Sequence, residues 1–319
     1  MTAPKIFELA GKRIFVAGHR GMVGSAIVRH LEAAGHAVLS VPRAALDLRR
    51  QERVEQWFEA HRPDVVVLAA GKVGGIGANA SQPVEFLLDN LLIEANVIGA
   101  AHRFGVQKLL FLGSSCIYPK FADQPIAESA LLTGPLEPTN QWYAIAKIAG
   151  LKLAEAFRVE HGCDFISVMP TNLYGPGDNF EPAAAHVLPA LLRRAHEAAE
   201  AGAERLVVWG SGAPLREMMY VDDLADACVF LLERYSGATF LNAGSGEEFA
   251  IADLARKAAA VAGFAGEIVF DASKPDGTPR KRLDTSALAA LGWRPKTPFD
   301  EGLARTYAWF RANRATLRG

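Results

Sequence analysis

Tyr143 and Lys147 stand four apart in "NQWYAIAKIAG", which puts both side chains on one face of a helix. A lysine ammonium beside a phenol stabilises phenolate and draws the tyrosine pKa toward working pH. Such a tyrosine can protonate a carbonyl oxygen as hydride arrives, with a serine hydroxyl as second donor. The stretch "LLFLGSSCIYP", residues 109–119, offers that serine. Ser114 ends an apolar run, and Cys116 follows two positions later. If the stretch is extended, the two-residue period turns 114 and 116 to one side and Ser115 to the other. A Y-x-x-x-K pair by itself is usually a helix surface pair, and a single cysteine is usually a small core hydrophobe. Cys163 and Cys228 are read that way.

The second group able to do chemistry is a glycine loop. "VAGHRGMVGSAIVRHL" sets Gly18, Gly21 and Gly24 directly after an apolar run and at the opening of a helix. Glycines there allow a tight turn and let backbone N–H groups approach a pyrophosphate. Met22 and Val23 belong to the same loop. NAD enzymes usually place an acid at the end of the second strand to hold the ribose 2′-hydroxyl. Here that stretch reads "VLSVPRAALDL", with no acid at the tip and Arg43 just beyond. Arg20 in the loop adds a second guanidinium, and two such groups can pair with a 2′-phosphate. NADP(H) is therefore the expected cofactor, with Asp47 a candidate acceptor for the adenine amino group.

These groups need a scaffold that brings strand ends together, and the pattern provides one. "RIFVAG" (13–18), "HAVLSV" (36–41), "DVVVLAA" (64–70), "KLLFLGSS" (108–115) and "DFISVMPT" (164–171) read as strands. Helices are expected over 22–34, 51–61, 84–104 and 141–161. Continuous apolar strands alternating with helices predict a doubly wound α/β fold, a parallel sheet of Rossmann type. After residue 175 the rhythm changes. "GPGDNFEP" is turn chemistry, "AHVLPALLRRAHEAAEAGA" is helical, and "LVVWGSG" is a short strand. "VDDLADACVFLLERY" is a helix with an acidic first turn, which suits its dipole. A turn-rich "SKPDGTPRKR" precedes a closing helix near 299–315. The expected division is a cofactor domain over 1–175 with a returning segment near 218–245. Residues 176–217 and 246–319 then form a smaller α/β substrate lobe.

The 319 residues are 50% hydrophobic and 22% charged with a net charge of −1, a globular composition without electrostatic attraction for nucleic acid or an acidic membrane. Apolar runs fall far short of the ~20 residues that span a bilayer. The start of the chain lacks a signal-peptide pattern. Three cysteines without metal-type spacing suggest a reducing cytoplasm, no structural disulfide and no metal site.

The chain resembles the extended short-chain dehydrogenase/reductases, and within them the enzymes that act on GDP-sugars. The likeness runs nearly end to end, through "GHRGMVGSAI", "AAGKVGGIGAN", "LLFLGSSCIYPK", "EPTNQWYAIAKIAG", "SVMPTNLYGPGDNF", "HVLPALLRR", "VVWGSG", "VDDLADA" and "DASKPDGTPRK". It implies a reductase triad of Ser114, Tyr143 and Lys147, and an acid/base pair of Cys116 and His186. It implies a loop, Pro170, Thr171, Asn172 and Leu173, along the nicotinamide half of the cofactor. Leu48, Leu112, Gly113, Lys147 and His186 join the cofactor-binding set by the same likeness. Arg194, Trp209, Arg216 and Asp276 fall where the GDP-sugar is contacted. A homodimer through helices near 84–104 and 141–161 is also implied.

The implied reaction is epimerisation of a GDP-4-keto-6-deoxy-mannose at C3 and C5, followed by reduction at C4. The C4 ketone acidifies both neighbouring carbons, so inversion needs a base on one ring face and an acid on the other. Thiol and imidazole have reference pKa values within ~2 units of neutrality and suit both roles. Other nucleotide-sugar 4-epimerases, reductases and dehydratases of the superfamily remain open. Dehydratases generally carry acidic residues where Cys116 stands, and Arg20 with Arg43 favours a dissociable NADPH. A non-enzymatic NADP-binding regulator is the remaining reading, against which Ser114, Tyr143 and Lys147 stand together.

Overall fold

The computed structural model describes residues 2–182, 184–274, 276 and 278–317. Pro275 and Gly277 of the turn-rich tail segment lie outside the described residues. In chain order the first half runs β1 (Arg13–Ala17), α1 (Met22–Ala33), β2 (Ala37–Leu39), α2 (Gln51–His61), β3 (Val65–Leu68) and α3 (Ile76–Ser81). It continues with α4 (Pro83–Arg103), β4 (Lys108–Leu112), α5 (Gln141–His161) and β5 (Phe165–Pro170). The second half runs β6 (Asn172–Tyr174), α6 (Val187–Glu200), β7 (Arg205–Trp209), β8 (Leu215–Tyr220), α7 (Val221–Arg234) and β9 (Leu241–Ala243). It ends with β10 (Glu248–Ala250), α8 (Ile251–Ala262), β11 (Glu267–Asp271), β12 (Arg280–Lys281), α9 (Ser286–Ala290) and α10 (Phe299–Asn313).

Six strands form a sheet in the order β2-β1-β3-β4-β5-β9, parallel at every pairing. Its strands are apolar throughout because both faces are covered. Ile14, Val16, Val65 and Val67 point into a core with Ile27 and Leu31 of α1 and Leu224 and Cys228 of α7. Phe15, Ala17, Val66 and Leu68 alternate to the opposite core with Val54 and Phe58 of α2, Val97 of α4 and Leu151 of α5. Each fully buried side chain of this size contributes roughly 1.5–3 kcal/mol.

The remaining strands build two small sheets. β8 pairs antiparallel with β10 and parallel with β12 and β6. β7 pairs parallel with β11. α6, α8 and α10 cover them through Leu188, Leu192, Leu254, Leu303 and Phe310.

Two sequence expectations need correction. The fourth strand stops at Leu112 rather than running to 115, and Ser115–Ile117 forms a single 3-10 turn. The Ser114 hydroxyl accepts from the Cys116 amide at 3.2 Å, a local bond that replaces ladder pairing. The strand period is thus not what relates Ser114 to Cys116. Pro170 to Leu173 is not a loop either. Pro170 ends β5, and Asn172 and Leu173 belong to β6, in register with Met218 and Met219 of β8.

Candidate active site

At the nucleotide end, Gly18 has φ +93°, and a Cβ there would lie 2.7 Å from the Ala70 nitrogen. A Cβ on Gly24 would come within 2.1 Å of the Gly18 carbonyl oxygen, so α1 sits against β1 only because position 24 is glycine. Gly21 differs: its Cβ would meet nothing closer than that same oxygen at 3.4 Å. It keeps space clear at the start of α1, which has no side-chain cap. Uncapped amides behind a glycine-lined space fit a pyrophosphate.

Met22 and Val23 open α1, half-buried, while Arg20 and Arg43 are exposed. Asp47 is gripped along one edge by Arg49, with Nε 2.9 Å from Oδ1 and an Nη 2.8 Å from Oδ2. These bonds hold its carboxyl down at about 2. Arg49 also reaches Asp89 at 3.1 Å. The Leu48 carbonyl accepts from Asn96 of α4 at 2.9 Å, which ties this segment to the helix.

Further along the same carboxyl-terminal edge of the sheet, Lys147 is almost fully buried in α5. Its Nζ donates to the Leu112 carbonyl at 3.1 Å and lies 3.1 Å from Oε1 of Glu94 in α4. Gly113 lies against Met169, whose sulfur a Cβ would meet at 2.2 Å. The Tyr143 ring centroid is 5.8 Å from the same ammonium, and Phe86 packs edge-on against the phenol. Desolvation pushes the Tyr143 phenol well above its ordinary value, the charges of Cys116 and Glu94 add to the rise, and a hydrogen bond from Ser114 opposes it. The net effect is a rise rather than the expected lowering, with the Lys147 ammonium paired to Glu94.

The Cys116 sulfur accepts from Asn140 Nδ2 at 3.3 Å and lies 3.5 Å from Lys281 Nζ. His186, the residue preceding α6, keeps access to solvent. Desolvation by its surroundings and then the charge of Lys281 lower its imidazole pKa. Lys281 is thus common to both members of the expected acid/base pair. The loop after β3 holds the approach to His186: Gly75 N donates to Ala184 O at 3.0 Å, and a Cβ on Gly75 would lie 2.8 Å from Ala185 O. Buried Asn79 braces that loop through the Gly74 and Gly75 carbonyls. Lys72 is engaged by Glu85 and does not enter the site.

Arg194, Trp209, Arg216 and Asp276 gather around β7 and β8. Arg194 donates to the Val207 carbonyl, two positions before the exposed Trp209. Arg216 donates to the Leu215 and Thr278 carbonyls at 2.7 and 2.6 Å, and burial lowers its pKa against the opposing charge of Asp276. Asp276 accepts from the Ser211 amide and hydroxyl at 2.9 and 2.6 Å, so it pins the turn after β7. In the β12–β8 ladder Lys281 is opposite Arg216. Beside them, buried Glu217 accepts from the amides of Gly246 and Leu283 at 2.7 and 2.9 Å. Its backbone carbonyl accepts from Thr171 and Asn172. Glu217 thereby ties three other segments to β8 behind the site, two through its carboxylate and one through its backbone carbonyl.

Near α1, the turn before Asp178 packs on the helix start, with a Gly177 Cβ placed 3.5 Å from Met22 Cα. Asp178 Oδ1 accepts from the Asn179 amide at 2.7 Å, Oδ2 has no partner among the described residues, and burial pushes the carboxyl up to about 7. Among the described residues no group of three His, Cys, Asp or Glu side chains could hold a metal ion.

A parallel six-stranded sheet with a glycine-lined, uncapped helix start and a Ser-Tyr-Lys cluster at its strand ends defines a nucleotide-dependent oxidoreductase or epimerase. The profile of the NAD dependent epimerase/dehydratase family matches residues 14–244, and the chain belongs to that family. Within it, the chain is 61% identical over 302 residues to GDP-L-fucose synthase 1 of Arabidopsis thaliana, covering 94% of each. It is 52% identical to the GDP-L-fucose synthase of Escherichia coli, covering 98% of this chain and 100% of that one. Among solved structures, a GDP-L-fucose synthetase of Naegleria fowleri bound to NADP superposes with a TM-score of 0.90 at 31% identity, covering 100% of this chain and 99% of that one.

Lys281, Asn140 and Glu94 did not emerge as functional from sequence. Lys281 and Asn140 lay inside quoted motifs, in "DGTPRK" and "EPTNQWY". Glu94 had only the weak signal of an acid on the apolar face of a helix.

Proposed function

We propose that this protein converts GDP-4-keto-6-deoxy-D-mannose to GDP-L-fucose, by epimerisation at C3 and C5 and then reduction at C4. The observation that carries the reading is the joining of the two chemistries: Ser114 faces Tyr143 as in a carbonyl reductase, and Cys116, one turn on, is an available thiol beside an ammonium. Names of the relatives supply the sugar. NADP(H) is the cofactor, supported by exposed Arg20 and Arg43 where a ribose-binding acid is missing, and by the NADP in the Naegleria structure.

When bound, the reduced nicotinamide supplies hydride to C4. The residues of this chain do the rest. Ser114 and Tyr143 donate to the C4 oxygen, which stabilises the enolate formed on removal of a C3 or C5 proton. Cys116 and His186 exchange those ring protons from opposite faces. Tyr143 then gives its proton to the alkoxide as C4 is reduced. Arg194 and Arg216 neutralise the diphosphate, Trp209 offers a stacking face for the base, and Asp276 shapes the turn beside them. Gly18, Gly21, Gly24, Met22 and Val23 hold the cofactor pyrophosphate. Arg43, Asp47 and Leu48 hold its adenosine half, and Leu112, Gly113, Lys147, Pro170, Thr171, Asn172, Leu173 and His186 its nicotinamide half.

We read residues 1–175 with 218–245 as the cofactor domain, and 176–217 with 246–319 as the substrate lobe. The protein pairs with a second copy through α4 and α5. Val84, Leu88 and Leu92 expose an apolar stripe along α4, and Trp142 and Ile145 extend it on α5. No helix among the described residues is long and apolar enough to cross a membrane, and the three free cysteines suit a reducing cytoplasm.

The test is NADPH consumption with GDP-4-keto-6-deoxy-mannose and analysis of the sugar formed. GDP-L-fucose is the expected product. No oxidation of NADPH, with turnover of a UDP-sugar in the presence of NAD, would favour a 4-epimerase instead.

A further inference from the structure

Glu94 is a carboxylate in the wrong place for a structural ion pair. Its side chain is 2% exposed, and the Lys147 ammonium lies 3.1 Å from it. Among the described residues neither carboxylate oxygen has another well-aligned partner; burial raises the carboxyl's pKa, and the Lys147 charge and the Gly150 amide oppose that rise and favour the ionised form. A buried ion pair of this kind gives little net stability, because removing both charges from water offsets their attraction. The neighbouring helix nevertheless makes room for it. A Cβ at position 150 would lie 2.5 Å from Glu94 Oε2, so Gly150 of α5 leaves the space the carboxylate fills.

The groups around this pair are few. α5 contributes Tyr143 and Lys147, and α4 contributes Glu94, with Asn90 one turn earlier bound to the Lys72 backbone. The end of β4 contributes the Leu112 carbonyl and Ser114, the following 3-10 turn contributes Cys116, and β12 brings Lys281 to that sulfur. Burial first, and then the charges of Cys116 and Glu94, favour the phenol's protonated form. In a dehydrogenase running toward oxidation, the tyrosine must give up its proton before substrate arrives, and an unopposed lysine helps it do so. Here the tyrosine must donate in both half-reactions, to the enolate oxygen and to the alkoxide. A neutralised lysine suits that direction.

We propose that Glu94 is the counter-ion of the catalytic lysine, a positioning residue that offsets the Lys147 charge and so holds Tyr143 as a proton donor. The proposal rests on the reading of Tyr143 as the acid of the C4 reduction. Removing the carboxylate strips a negative charge from the phenol's surroundings and leaves the ammonium unopposed, and both changes favour phenolate.

The experiment measures single-turnover NADPH oxidation against pH, using the 3,5-epimerised keto sugar so that reduction alone is followed. Wild type is expected to hold its rate into the alkaline range. Glu94→Gln keeps the shape of the side chain, and its alkaline fall-off is expected about one pH unit lower. Glu94→Asp draws the charge back by one methylene and is expected to move the limb part of the way, which keeps the test open should Glu94→Gln fold poorly. A folded variant of either kind with an unmoved limb, whatever its overall rate, overturns the proposal, since a merely structural carboxylate lowers the rate without shifting the profile. A wild type that does not reduce the sugar at all would instead overturn the function proposed above.

Discussion

The Lys281 ammonium stands 3.5 Å from the Cys116 sulfur, joining residues 165 positions apart. At that separation a positive charge stabilises whichever step leaves the sulfur anionic. Unit charges 4 Å apart interact by about 4 kcal/mol at an effective dielectric of 20, less where water screens them. Lys281→Met is therefore expected to slow deuterium uptake at C3 and C5 by roughly 10–100-fold, or ~1.4–2.7 kcal/mol. The same change removes a like charge from His186, so its imidazole should titrate at higher pH by NMR. Uptake at the wild-type rate would detach Lys281 from the chemistry.

Cys116→Ser separates the two half-reactions. The hydroxyl occupies the thiol's place but exchanges protons far less readily near neutrality, so incorporation of deuterium at C3 and C5 should fall about 10²–10⁴-fold. Reduction of the pre-epimerised sugar should be largely retained, because Ser114, Tyr143 and Lys147 are untouched. Unchanged incorporation would take Cys116 out of the mechanism.

Gly21 and Gly24 should fail in different ways when replaced by alanine. At Gly24 the new methyl would be 2.1 Å from the Gly18 carbonyl oxygen, so α1 must move and thermal stability should drop by a few kcal/mol, roughly the cost of overpacking. At Gly21 the methyl meets nothing nearer than 3.4 Å. That variant should melt close to wild type and yet bind NADPH at least tenfold more weakly, because the methyl occupies ligand space. Fluorescence titration with thermal melts would check both, and equal melting losses would refute the distinction.

Asp178 sets a pH dependence of stability. Its folded pKa, about 7, is raised above the unfolded value by burial, so the folded state holds a proton that the unfolded chain releases. The contribution is full below about pH 4 and is lost as pH rises toward 7, a change of up to about 4 kcal/mol. Asp178→Asn keeps an acceptor for the Asn179 amide and cannot ionise. Melting curves at pH 5 and pH 8 should show a smaller loss on the alkaline side for the variant than for wild type. Parallel losses would mean that Asp178 stays neutral or reaches solvent.

The doubly wound sheet was legible because its strands obey a strong local rule: apolar runs such as "DVVVLAA" are buried on both faces, and glycines punctuate their ends. Tyr143 and Lys147 were legible because helix periodicity is local as well. The relation of Ser114 to Cys116 was reached by a wrong route, since a side-chain bond to the Cys116 amide ends the strand before the two-residue period applies. The rise of the Tyr143 pKa was not legible. It comes first from burial and then from the charges of Cys116 and Glu94, the last of which arrives from another helix and reads in sequence as one acid among apolar neighbours. Lys281 escaped for the same reason at longer range, since only the pairing of β12 with β8 brings it to the thiol.

That pairing has a bearing on synthesis. Ser114, Tyr143 and Lys147 all leave the ribosome within the first 147 residues, along with Glu94 and the glycine loop. The cation beside the thiol, Lys281, is encoded 134 residues beyond Lys147, in a strand of two residues that must find β8 after almost the whole chain is made. Closing so long a loop is entropically unfavourable and gains its reward late. A nascent chain thus holds Ser114, Tyr143, Lys147 and Cys116 well before it holds the ammonium that stands beside the thiol.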